Sequence, residues 1–193
     1  GVEARRWTCQ GSVQVGEETI VCSGVHGDQA LAAAFANSCN VAFSQIAVEL
    51  GADTLRRYTE QAGLTASYEL DGLPTAKGSF DWELTEGRLG WAGVGQDRDL
   101  VNPCALMVYM GAIANGGKAA RPYLILGSRN GLPSLPRIAR KTGTLLRRET
   151  AERLAELMAG NVEQTYGTDR FPNMDLCAKS GTAEVGEGRS PHA

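Results

Sequence analysis

Apolar positions along the chain change their period several times, and each change predicts an element. Residues 5–22 read as a β-hairpin with Val15-Gly16 near its tip. A helical block follows: Asp28 is placed to cap a segment carrying Leu31, Ala34 and Phe35. The block breaks at Asn37-Ser38-Cys39-Asn40, residues whose short polar side chains compete with the helix for backbone hydrogen bonds. Helical spacing resumes at Phe43, Ile46, Ala47 and Leu50 and stops at Gly51. A short helix begins at Asp53, runs through Leu55 and Tyr58, and ends at Gly63.

Residues 63–100 lack sustained periodicity and are rich in glycine, so loops and short turns are expected. A stretch of that length without regular structure marks a functional or substrate-facing wall. Asn102 and Pro103 then supply an N-cap and a first helical residue, ahead of a stripe of Leu106, Tyr109, Met110 and Ile113 that Asn115-Gly116-Gly117 ends. Pro122 to Leu126 is a candidate strand, and residues 127–141 are basic and rich in Pro and Gly. Thr150 to Gly160 predicts a helix with Leu154, Leu157 and Met158 inward. Leu176-Cys177-Ala178 leads into Lys179-Ser180-Gly181-Thr182 as an extended segment, expected to be a strand. The mixture is α/β with helices dominant and no internal repeat.

Composition narrows the class. The chain has 193 residues, a net charge of −3, 42% apolar residues and 21% charged residues. That balance is globular, and it excludes a disordered tail. The small negative charge argues against a nucleic-acid partner. The length suits one domain, or one and a half. It begins Gly1-Val2-Glu3 without Met and stops at Ser190-Pro191-His192-Ala193, just after the expected strand, which reads as an excised piece. Cysteines stand at 9, 22, 39, 104 and 177, with histidines only at 26 and 192. The lack of any Cys-x-x-Cys argues against a zinc site. A hairpin loop at Val15-Gly16 sets Cys9 opposite Cys22, within disulfide reach, whereas a loop at Gly16-Glu17 shifts the register and separates them. The alternatives are a disulfide and two buried thiols.

Two short motifs can carry chemistry. In Ser38-Cys39-Asn40, both outer side chains donate and accept hydrogen bonds, and a helix break leaves them free to face a cleft. A pattern Lys-[Ser/Thr]-Gly-Thr occurs twice, at Lys141-Thr142-Gly143-Thr144 and Lys179-Ser180-Gly181-Thr182. The second copy follows an apolar run. On a strand, Ser180 and Thr182 face one side, Gly181 admits a substrate backbone, and Lys179 adds positive potential. Its N–H groups suit an oxyanion. The first copy reads as a solvated loop.

Ser-x-Asn followed far downstream by Lys-[Ser/Thr]-Gly resembles two of the three motifs of the penicillin-recognising serine acyl-transferases. The flanking words strengthen the likeness. His26-Gly27, Leu31-Ala32 and Ala36-Asn37-Ser38-Cys39-Asn40-Val41-Ala42-Phe43 resemble the second-motif region of penicillin-binding protein transpeptidase domains. Gly93-Val94-Gly95-Gln96, Val101-Asn102-Pro103 and Ile113-Ala114-Asn115-Gly116-Gly117 resemble the segment that follows it. Lys179-Ser180-Gly181-Thr182-Ala183-Glu184 with Pro191-His192-Ala193 resembles the third-motif strand and its sequel. The resemblance covers nearly the whole chain, in order.

The resemblance implies an α+β fold of the β-lactamase/transpeptidase type, a helical subdomain plus an antiparallel sheet, incomplete at both ends. It implies a D,D-transpeptidase that cross-links peptidoglycan stem peptides by serine acyl transfer and binds β-lactam antibiotics, with no metal or organic cofactor. Ser38 would relay a proton, Asn40 would orient substrate and the catalytic lysine, and Lys179 would supply positive potential. Ser180, Gly181 and Thr182 would bind the substrate carboxylate and oxyanion. The family nucleophile is the Ser of Ser-x-x-Lys, and no serine in this sequence has Lys three positions on. The chain is thus expected to be a partial domain, inert by itself, lacking the nucleophile segment and the last strands and helix. Also implied are cell-wall synthesis or division partners and an extracytoplasmic place, held by an N-terminal membrane helix. A β-lactamase is the alternative enzyme, but the Glu-x-x-Leu-Asn that would activate its water is missing, since Glu86 is followed by Gly87-Arg88-Leu89. A non-enzymatic β-lactam or wall-peptide sensor is the alternative outside enzymes.

Overall fold

In the computed structural model, residues 2–96, 98–125 and 141–182 are described. They divide into two compact units. The first comprises residues 1–56, 81–99 and 154–193, and the second 57–80 and 100–153.

The first unit opens with two antiparallel ladders. Strand β1 (Arg6–Cys9) does not pair with the next strand. That strand, β2 (Ser12–Val15), pairs with β3 (Glu18–Val21), and β1 pairs with β4 (Gly27–Ala30), which sets Cys9 against Gly27. The expected 5–22 hairpin is therefore only its inner part. Val15 faces Glu18, so the loop is Gly16-Glu17, with Gly16 at φ 56. Cys9 is paired in the ladder with Gly27 and not with Cys22, and although the two sulfurs lie within 4.8 Å of each other, all five cysteines are free thiols. Asp28 is no helix cap. It lies in β4, its carboxylate 2.5 Å from Arg6 Nε, because Gly27–Ala30 is spent completing the ladder to β1.

Helix α1 (Leu31–Ala36) follows directly, then α2 (Asn40–Leu50), which Gly51 ends at φ 76. Trp7, Cys9, Cys22, Ala34, Cys39, Val41 and Ala42 form the core, with Val13, Leu31, Phe43 and Ile46 packed against it. Helix α3 (Ala52–Gln61) carries the chain from the first unit into the second.

Helix α4 (Glu86–Gly93) lies within the stretch expected to be loops. Its signature is concealed by glycines at 87, 90 and 93, one per turn on one face. A Cβ there would stand 2.3 Å from Glu18 Cγ, 2.6 Å from Ile20 Cδ1 and 2.2 Å from Ala47 Cβ respectively. Close approach to α2 and the β2–β3 hairpin, not turn formation, explains these residues. Thr85 caps the helix by accepting from Arg88 N at 3.4 Å.

In the second unit, β5 (Glu69–Leu70) and β6 (Leu73–Pro74) form a hairpin whose loop, Asp71-Gly72, has both φ values positive, as a type I′ turn requires. Helix α5 (Pro103–Ala114) starts as expected at Asn102-Pro103. The Asn102 Oδ1 accepts from Ala105 N at 2.8 Å, while Nδ2 donates to Ala66 O and Ala76 O, each at 2.9 Å. Its apolar face is turned from the expected stripe: Ala105, Val108, Ala112 and Ile113 are buried, and Leu106 and Met110 are exposed. Small residues sit inward because β7 (Lys118–Ala120) folds back on this helix, with Val108, Ala112 and Ala119 forming a core against Tyr68, Cys104 and Leu145.

The expected strand at Pro122 is not one. Leu124 and Ile125 donate their N–H groups to Asp71 Oδ2 at 2.9 and 2.8 Å instead. Most of the basic stretch 127–141 lies outside the described residues. The first Lys-Thr-Gly-Thr copy, expected in a solvated loop, is strand β8 (Lys141–Thr144), paired with β7. Helix α6 (Arg148–Asn161) buries Leu157 and Met158 as expected and runs into a π-helical turn, Val162–Tyr166. No helix among the described residues is long and apolar enough to cross a membrane.

Candidate active site

The site is built at the corner between α1 and α2. At the end of α1, Ser38 N donates to Phe35 O at 3.1 Å and Cys39 N to Ala34 O at 2.9 Å. Those two bonds define a Schellman motif, in which the residue at Ser38 must be left-handed. Ser38 has φ 50, a position usually given to glycine. A left-handed L-residue costs about 1–2 kcal/mol. The chain thus holds an exposed hydroxyl in a strained backbone position, as functional sites often do.

The next residue turns inward. Cys39 is fully buried, and burial pushes its thiol up to about 12. Asn40 is the first residue of α2, and its Nδ2 donates to Val21 O of β3 at 2.8 Å. That bond ties the corner to the hairpin.

Lys179 arrives from far along the chain. Its ammonium donates to Ser38 Oγ and, at 2.7 Å, to Ser180 O, and it lies 5.7 Å from the centroid of the Phe35 ring. Partial burial pushes its pKa below the ordinary lysine value. Because the ammonium donates to Oγ, the Ser38 hydroxyl hydrogen is left to be given elsewhere. Ser180, Gly181 and Thr182 follow in exposed backbone.

Residues 176–182 form no strand ladder among the described residues, contrary to expectation. The backbone is fastened to α6 instead: Ala178 N donates to Met158 O at 3.4 Å, and Asn161 Nδ2 donates to Ala178 O at 2.8 Å. Thr165 shares its hydroxyl hydrogen between Asn161 Oδ1 at 3.1 Å and Ala36 O at 3.3 Å. Buried Asn161 and exposed Thr165 therefore join the Lys179 segment to the end of α1. Sequence reasoning missed both, and the one available signal was a polar Asn closing an amphipathic helix.

The arrangement brings together a hydroxyl held by an ammonium and an exposed Ser-Gly-Thr backbone, while the Asn40 amide is engaged with β3. The model of the penicillin-binding protein transpeptidase domain matches residues 5–192, and the chain belongs to that family. It is 34% identical over 167 residues to the peptidoglycan D,D-transpeptidase PbpA of Mycobacterium tuberculosis, covering 83% of this chain and 34% of that protein. It is 24% identical over 184 residues to the peptidoglycan D,D-transpeptidase MrdA of Salmonella typhimurium, covering 83% of this chain and 28% of that one. The chain thus spans about a third of the length of these relatives.

Solved structures agree. A ceftriaxone acyl-enzyme complex of penicillin-binding protein A from M. tuberculosis superimposes with a TM-score of 0.85 at 25% identity, over 97% of this chain and 44% of that one. The D,D-transpeptidase domain of a peptidoglycan glycosyltransferase from Eggerthella lenta gives 0.83 at 27% identity, over 97% and 50%. The fold is the mixed helix and antiparallel-sheet fold of these domains.

Proposed function

We propose that these residues form the second- and third-motif part of a peptidoglycan D,D-transpeptidase that is acylated by β-lactams. The observation that carries the reading is the Lys179 Nζ bond to Ser38 Oγ, which joins two motifs 141 residues apart. The nucleophile comes from protein outside residues 1–193, so this part alone is inert. That external serine attacks the D-Ala-D-Ala amide, the leaving amine takes a proton through Ser38, and an acceptor amine resolves the acyl-enzyme. Lys179 keeps positive potential against Ser38 and the substrate carboxylate. Asn40 orients the substrate amide and the lysine of the nucleophile motif. Ser180 and Thr182 bind the carboxylate, Gly181 leaves room for the peptide, and the Thr182 N–H supplies part of an oxyanion hole. Removing one such donor costs roughly 3–4 kcal/mol of transition-state stabilisation.

Partners of the whole protein are stem peptides, β-lactams and cell-wall synthesis or division proteins. Its place is the outer face of the cytoplasmic membrane, with an anchor outside these residues. The test is acylation of the intact protein by a fluorescent penicillin. Labelling is expected in the wild type and about 100-fold slower in Lys179→Ala. Equal labelling rates would refute the assignment of Lys179.

A further inference from the structure

The topology gathers four potential metal ligands that look unrelated in the sequence. Cys9 ends β1, Cys22 follows β3, His26 precedes β4, and Cys39 lies in the corner between α1 and α2. Their ligand atoms all lie within 4.8 Å of one another. The three cysteines are buried, and His26 is half-buried. Cys22 Sγ stands 3.9 Å from Cys39 Sγ and 3.5 Å from His26 Nδ1.

The two Cys22 separations match edges of a tetrahedron around zinc. A Zn–S bond of about 2.3 Å and a Zn–N bond of about 2.0–2.1 Å give edges of about 3.8 Å between sulfurs and about 3.5 Å between sulfur and nitrogen. They are far from the ~2.05 Å of a disulfide. Backbone N–H groups of His26 and Gly11 point at Cys9 Sγ, and that of Ala42 at Cys39 Sγ. Donors of this kind orient a metal's sulfur ligands and offset their charge. One contact belongs to the protonated form, Cys9 Sγ to Gly24 O at 3.5 Å.

We propose that Cys9, Cys22, His26 and Cys39 bind one structural zinc ion. Three Zn–S bonds form as three thiol protons leave to solvent, and a neutral imidazole nitrogen closes the shell. Three sulfurs and one nitrogen at tetrahedral spacing select zinc over magnesium, calcium or manganese, which prefer oxygen. With all four positions held by protein, the ion has no open site for substrate, so its role is to clamp structure. Cys39 separates Ser38 from Asn40, so the ion pins the corner bearing both to β1 and to the loop after β3. This last consequence rests on the active-site reading above; metal binding itself does not.

The test is metal content of the intact protein, purified under reducing conditions and exposed to zinc before desalting. About one zinc per chain is expected. Cys9→Ser and Cys22→Ser should each lower zinc retention at least tenfold, and Cys104→Ser, outside the cluster, should retain it. In case the cluster variants fail to fold, wild-type protein stripped and reloaded with Co2+ supplies a second readout. Thiolate-to-cobalt charge transfer and intense tetrahedral bands are expected, lost on adding zinc. A wild-type protein that retains no stoichiometric zinc and shows no such bands overturns the proposal. So does a disulfide among Cys9, Cys22 and Cys39 in folded, active protein.

Discussion

Replacing Ser38 by glycine and by alanine separates its two roles. Both substitutions remove the hydroxyl that Lys179 holds. They differ in the backbone: at φ 50 glycine sits without strain, while alanine keeps the left-handed cost of about 1–2 kcal/mol. Part of glycine's advantage is lost to its greater freedom in the unfolded chain, about 0.5–1 kcal/mol. Ser38→Gly should therefore be more stable than Ser38→Ala by about 1 kcal/mol. For a domain of this size that separates the melting temperatures by about 2–4 °C. Thermal unfolding of the two variants of the intact protein measures the difference, and penicillin acylation measures the hydroxyl. Both variants should acylate about 100-fold more slowly than wild type, the lower end for a lost proton relay. If Ser38→Ala melts at or above Ser38→Gly, the strained corner is wrong. If either variant keeps wild-type acylation, the relay is wrong.

Other perturbations address the supports of the site. Gly93→Ala places a Cβ 2.2 Å from that of Ala47, and overpacking of about 1–3 kcal/mol should outweigh a helix-propensity gain of up to about 1 kcal/mol. Gly111→Ala in α5 meets nothing within 4 Å and should stabilise by about 0.5–1 kcal/mol, so denaturant midpoints moving in the same direction would contradict the packing account. Asn161→Ala removes the donor to Ala178 O and should cost about 1–3 kcal/mol. It should also slow acylation at saturating antibiotic, and a purely stabilising role would leave that rate unchanged. The acylation rate should fall as pH rises through the depressed pKa of Lys179, because deprotonation removes the positive charge, giving an alkaline limb below the ordinary lysine value of 10.5. Lys179→Arg should move that limb upward, and a limb that stays in place belongs to another group.

Elements set by local patterns were legible in the sequence. Helix α2 shows its spacing and its Gly51 stop, and α5 shows its Asn102-Pro103 start, because capping and periodicity are local. What escaped depends on contacts distant in sequence. The glycines of α4 look like loop residues until Ile20 and Ala47 are placed against them. Cys9 stands opposite Gly27 because β1 joins β4 rather than the adjacent hairpin, a pairing that no local pattern announces. The four-ligand cluster lies across two ladders and a helix corner, so no Cys-x-x-Cys spacing announces it. Motif order singles out Ser38, Asn40 and Lys179, whereas Asn161 and Thr165, which tie the Lys179 segment to α1, belong to no motif.

The central claim is that an external serine is acylated at a site completed by Ser38 and Lys179. Peptide mapping by mass spectrometry after treatment of the intact protein with penicillin tests it most directly. A single penicilloyl adduct is expected, on a serine of a Ser-x-x-Lys outside residues 1–193. An adduct on Ser38 or Ser180, or no adduct at all, would contradict the account.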